Sequence, residues 1–194
     1  MRPHLARLMV TVAVLVPAVP ARADDVSVCR KAFQGSVPFR KGIDACTGVL
    51  QRDPRAAFAY AGRAHSRDYG VRRPFTAARA AEIRRAFDAA LADYTKAIAF
   101  DPSNSQYLVA RGLLRQTRFE AFKDAAELRH AIADFSRGIE LWPREAPVFL
   151  GHRARIYEAL GDRRKAIADF RAILAIDPKD YPSRDALKRL GARP

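Results

Sequence analysis

Four helix endings recur along this chain: Asp53-Pro54, Asp101-Pro102, Trp142-Pro143 and Asp177-Pro178. Proline stops a helix because it has no N–H and because it turns the preceding residue away from helical angles. Upstream of the last three endings stands one pattern, Ala90-Leu91-Ala92-Asp93-Tyr94, Ala131-Ile132-Ala133-Asp134-Phe135 and Ala166-Ile167-Ala168-Asp169-Phe170. Apolar residues continue each at helical spacing, as at Ala97, Ile98 and Phe100. Downstream of the first three endings comes an arginine followed by a small residue: Arg63-Ala64, Arg111-Gly112 and Arg153-Ala154. Recurrence of this kind constrains the fold more than any single motif, because each unit must bury its apolar face against the next. Ala, Leu, Arg and Asp dominate, which favours helix. With 49% hydrophobic and 29% charged residues the composition is globular.

These residues resemble the tetratricopeptide repeat, a helix pair of about 34 residues. The family's small residue in the first helix is matched by Ala64, Gly112 and Ala154. In the second helix its alanine is matched by Ala90, Ala131 and Ala166, and its aromatic by Tyr94, Phe135 and Phe170. The last unit also keeps Tyr157 and a turn at Gly161-Asp162. The small residues let two backbones approach, and the aromatic fills the space beside them. The resemblance implies an all-α, right-handed solenoid of antiparallel helix pairs over residues 24–54, 55–102, 103–143 and 144–178. A capping helix over 180–191, opened by Asp180 and Pro182, would cover the last apolar face.

The proline spacings are 48, 41 and 35 residues. Surpluses close to whole helical turns keep an apolar face in phase, so lengthened helices are expected rather than disordered loops. Gly70 and Pro74 bracket the turn of the second pair, which predicts a long helix from Phe75 to Phe100. In the third pair the turn is expected near Arg118–Lys123.

The N-terminus reads as a secretory signal peptide over residues 1–23. Arg2 and Arg7 precede an apolar run from Leu8 to Val19, and Pro20-Ala21-Arg22-Ala23 supplies the small residues of a cleavage site. That run is too short to span a bilayer, which takes about 20 apolar residues. Cleavage after Ala23 would give an exported protein, periplasmic or secreted, and would lower the net charge from +14 to +11 by removing Arg2, Arg7 and Arg22. An anionic partner suits that charge, while export argues against nucleic acid.

In the first unit Cys29 stands in the arginine place and Cys46 in the aromatic place. The resemblance sets those two places facing each other across a helix pair. In an oxidising compartment this predicts a Cys29–Cys46 disulfide; two buried thiols are the alternative, and a zinc site has too few ligands. Elsewhere Arg63, Arg111 and Arg153 recur in one register and Asp93, Asp134 and Asp169 in another. A set of ion pairs is expected, within a helix pair or between neighbouring pairs.

No catalytic constellation is visible. His65, His130 and His152 lack metal-ligand spacing, and neither a glycine-rich phosphate loop nor a Gly-x-Ser-x-Gly elbow occurs. The expectation is a binding module without cofactor or metal. The family binds extended peptides along its first helices. Carried over, its groove falls on Phe58, Ala61, Gly62, His65, Asp68 and Tyr69, then on Gln106, Val109, Ala110, Leu113, Gln116 and Thr117, then on Val148, Gly151, His152, Arg155, Glu158 and Ala159. The Lys, Asn and Arg set with which some members clamp an acidic C-terminus is missing. A protein or peptide partner in the cell envelope is therefore expected. A second reading is a structural envelope protein docked on anionic lipid or wall polymer through Arg72, Arg73, Arg79, Arg84 and Arg85 in the basic stretch 70–88.

Overall fold

The computed structural model describes residues 23–71 and 76–193. Among them lie nine α-helices and no strand. They are α1 (Ala23–Phe33), α2 (Phe39–Arg52), α3 (Ala57–Val71), α4 (Ala80–Phe100), α5 (Ser105–Phe122), α6 (Ala125–Leu141), α7 (Ala146–Ala159), α8 (Arg163–Ile176) and α9 (Tyr181–Arg189). The leader read at 1–23 falls on residues outside this description, apart from Ala23, where α1 begins.

Consecutive helices pack as antiparallel pairs, α1 with α2 through α7 with α8, and each pair packs on the next. The ends follow from local chemistry. The carboxylates of Asp53, Asp101 and Asp177 accept from the backbone N–H of Arg55, Ser103 and Lys179 at 3.0, 3.2 and 2.9 Å, so the aspartate before each proline ties down the turn that the proline forces. Trp142 has no such carboxylate. Its ring stacks on Phe149 instead, 6.0 Å between centroids, ahead of a 3-10 turn at Pro143–Glu145. Side chains of Asn104, Asp124, Asp162 and Asp180 cap the starts of α5, α6, α8 and α9.

The register places seen in sequence form the core. Ala64, Ala154, Ala90, Ala131 and Ala166 are fully buried, and Tyr94, Phe135 and Phe170 are buried beside them. At Gly112 even a methyl group is excluded, since a Cβ there would lie 2.5 Å from Cζ of Phe135. The α9 cap buries Ala186 and Leu187 and leaves a polar outer face.

The surplus residues are distributed differently from expectation. The helix expected from Phe75 begins at Ala80, because Thr76 is extended (φ −121°, ψ 147°) and a 3-10 turn occupies Ala77–Arg79. With 21 residues it spans about 31 Å. In the third pair both helices lengthen, to 18 and 17 residues against 14 and 14 in α7 and α8. The helix runs on through Arg118, and the turn falls at Lys123, in the left-handed region at φ 57°, and Asp124. The two extensions pack on each other. Phe87 meets Phe122 edge to face, Arg118 pairs with Asp88 at 2.8 Å, and Ile83 is buried beneath them.

The repeated charges pair within each helix pair. Arg63, Arg111 and Arg153 each grip one aspartate with two nitrogens: Asp93 at 2.8 and 2.8 Å, Asp134 at 3.0 and 2.6 Å, and Asp169 at 2.9 and 2.8 Å. The remaining nitrogen of each guanidinium reaches back to the preceding pair, donating to Thr47, Thr95 and Ser136 at 3.4, 3.0 and 2.7 Å. One arginine thus fastens three helices. Asp93 and Asp134 also receive Arg67 and Arg115, one turn further along, where the last pair has Tyr157. The pKa values of Arg63 and Arg153 are raised, first by hydrogen bonding to their aspartates. Those of Arg67 and Arg115 are lowered, chiefly by burial.

The first pair has neither charge. Cys29 and Cys46 are joined by a disulfide, with Cα atoms 4.8 Å apart, and both are fully buried. Gly62 of α3 lies directly over it: a Cβ would come within 2.6 Å of the Cys29 carbonyl oxygen and 2.9 Å of Cys46 Sγ.

Candidate peptide groove

The first helices of the pairs share one face. A cavity of about 450 Å³ opens on it between α3, α5 and the start of α7. It brings together His65, Asp68, Gln106, Val109, Ala110, Leu113 and Val148, all expected in the groove. A second cavity, about 310 Å³, adjoins it through the shared Val148 and contains Gly151, His152 and Arg155.

The remaining groove candidates lie elsewhere. Phe58 lines neither cavity; the Arg30 guanidinium lies 4.3 Å from its ring centroid. Tyr69 is 61% exposed near the end of α3, and Gln116 is half-buried on α5; neither lines these cavities. Ala61 and Gly62 are buried between helices, which removes them from any ligand surface. Thr117 donates to the Leu113 carbonyl at 3.2 Å, and Glu158 pairs with Arg189 at 2.7 Å. Ala159 is exposed at the end of α7.

Four residues of the first cavity were not expected in the groove: Phe33, Tyr94, which the sequence places only as the core aromatic, Ser105 and Glu145. Phe33 comes from the terminal pair and meets His65 and Tyr107 edge to face, with centroids 6.1 and 5.6 Å apart. The hydroxyl of buried Ser105 donates to Oε2 of Glu145, across 40 residues of sequence. No local motif signals a contact of that span.

The electrostatics are local. His152 stacks on Phe135, 5.3 Å between centroids at 21°. Burial first, and the nearby Arg155 second, push its pKa down, so the imidazole is neutral at pH 7. In the basic stretch, Arg79 pairs with Glu82 at 3.1 and 3.2 Å, Arg84 lies 4.0 Å over the Phe122 ring, and Arg85 donates to the Ala81 carbonyl. Arg72 and Arg73 lie outside the described residues. Among the described residues no cluster of three or more His, Cys, Asp or Glu side chains could hold a metal ion, and no helix is long and apolar enough to cross a membrane.

A family model described as "Tetratricopeptide repeat" matches residues 149–180, which span most of α7 and all of α8. A solved thermophilic TPR protein of Thermus thermophilus, TTC0263, is similar in fold at 17% identity and a TM-score of 0.65, with 87% of this chain and 81% of that one covered. Two structures of MamA are similar at 15% and 18% identity with TM-scores of 0.62 and 0.61; each covers 86% of this chain, and 80% and 85% of theirs. No curated protein matches the chain in sequence.

Proposed function

We propose that this chain, with a tetratricopeptide-repeat match over residues 149–180 and a fold similar to that of solved tetratricopeptide-repeat proteins, is an exported adaptor holding a segment of another protein along its first helices. The observation that carries this reading is the pair of adjoining cavities, which run from His65 past Leu113 and Val148 to Arg155 on one face. The lining is mainly apolar with a few polar groups set among it, the composition that holds a ligand and fixes its orientation. Export is supported by the residues of 1–23 and by a buried disulfide, a bond that persists in oxidising compartments. This reading assigns the chain no reaction. Docking on anionic lipid or polymer through the basic stretch has less support, because Arg79 is paired with its own acid and Arg84 is laid on a ring.

Two measurements test the proposal. Mass spectrometry of the exported protein should find Asp24 at the N-terminus; a chain retaining Met1 refutes export by this route. A photo-crosslinking residue at Val109, on the groove face, should capture a protein in cells. The same residue at Arg137, exposed on α6, should not. Equal capture from both positions refutes the groove.

A further inference from the structure

The first cavity presents an exposed acid, Glu145, on a basic molecule. The chain has 35 Lys and Arg residues against 21 Asp and Glu. Yet the described lining of this cavity contains two carboxylates, Asp68 and Glu145, one histidine, His65, and no lysine or arginine. Glu145 is placed rather than merely present. It ends the 3-10 turn at Pro143–Glu145, and Ser105 donates to its Oε2. That bond holds one carboxylate oxygen and leaves Oε1 for a ligand. Beside it Val109, Leu113 and Val148 form an apolar floor, with Val148 52% exposed. Arg155 lines the adjoining cavity instead, where Asp180 accompanies it.

We infer, on the groove reading proposed above, that the segment this cavity takes carries a lysine or arginine beside an aliphatic residue, the cation against Glu145 and the aliphatic side chain over Val109, Leu113 and Val148. Charge complementarity at the contact decides the choice. At physiological ionic strength the Debye length is about 8 Å, so basic residues spread over the rest of the surface act on the bound segment only weakly, while a cation touching the exposed Glu145 carboxylate lies well inside that length. A hydrogen bond from a cationic group to a carboxylate is also stronger than a neutral one. The chain's overall charge would by itself attract acidic segments. Selection of basic ones therefore reports the site and not the average surface.

The test is a displayed library of random twelve-residue peptides, selected on residues 24–194 in 0.15 M salt. Enriched peptides should pair Lys or Arg with Leu, Ile or Val. Glu145→Gln retains an acceptor for Ser105 and should weaken an enriched peptide about tenfold, roughly what one charge-assisted hydrogen bond contributes. The same peptide with its cation changed to Gln should bind the wild type and Glu145→Gln equally. Enriched peptides that are acidic, lack a charge bias or ignore Glu145→Gln overturn this inference and leave the groove reading standing. Val148→Arg, at an exposed position, separates the two: enriched peptides that ignore it bind elsewhere and overturn the groove reading as well. A library that enriches no peptide overturns both.

Discussion

Arg153 and Asp169 give the cleanest measure of what the repeated ion pairs contribute. Among the described residues Asp169 is gripped by one arginine, whereas Asp93 and Asp134 each have a second. Its side chain is 8% exposed and that of Arg153 20%. Arg153→Met keeps the aliphatic stem but strands a nearly buried carboxylate, which costs about 3 kcal/mol, the low end for breaking a buried pair. Asp169→Ala is milder, about 1.5 kcal/mol, because Arg153 retains Ser136 and can turn its head toward water. The double variant should lose about 2.5 kcal/mol, so the coupling is about 2 kcal/mol. Urea denaturation of residues 24–194, followed by helical circular dichroism at pH 7, measures all four corners of the cycle. Arg63→Met supplies the contrast. Arg67 already contacts Asp93, so the carboxylate stays paired and the loss should be about 1–2 kcal/mol. A coupling under about 0.5 kcal/mol, the range of exposed pairs, would refute the reasoning, as would equal losses from Arg153→Met and Arg63→Met.

Further outcomes follow from other contacts. Cys29→Ser should lower stability by about 3 kcal/mol, the chain-entropy value for a loop of this length, and reductant should then have no further effect on the urea midpoint. Gly112→Ala should cost about 1–3 kcal/mol by overpacking against Phe135, while Ala64→Gly and Ala154→Gly should cost about 1 kcal/mol each in helix propensity; all three are read from urea midpoints. His152 makes stability pH-dependent. Its folded pKa lies below the unfolded value near 6.5, so the unfolded chain takes up the proton first. The stability is complete above that pH and falls as pH drops through it. Between pH 8 and 5 the wild type should therefore lose more than His152→Phe, which keeps a ring against Phe135.

Much of the architecture is a one-dimensional consequence of the chain. Asp-Pro endings, small residues opposite aromatics and capping aspartates act over a few residues, so their spacing alone determined where most helices stop and which faces pair. The disulfide was legible for the same reason, since the register that places an arginine opposite an aromatic also places Cys29 opposite Cys46. One sequence signal was there and went unread. A hydroxyl follows the aromatic place at Thr47, Thr95 and Ser136, in each pair whose successor carries the arginine, and gives way to Arg171 before the cap, where Leu187 stands instead. What tertiary structure alone decided involves contacts without a period. The extra turns of α4 and α5 packed on each other through Phe87, Phe122, Asp88 and Arg118, which drew Arg84 onto a ring that the charge pattern could not foresee. Phe58 and Tyr69 sit in groove register yet line neither cavity, while Phe33 and Glu145 lie outside that register and complete one. Periodicity specifies which face of a helix turns inward. Which side chains then share a cavity depends on how far successive pairs shift and rotate against each other, a sum over packing contacts that no single stretch of sequence contains.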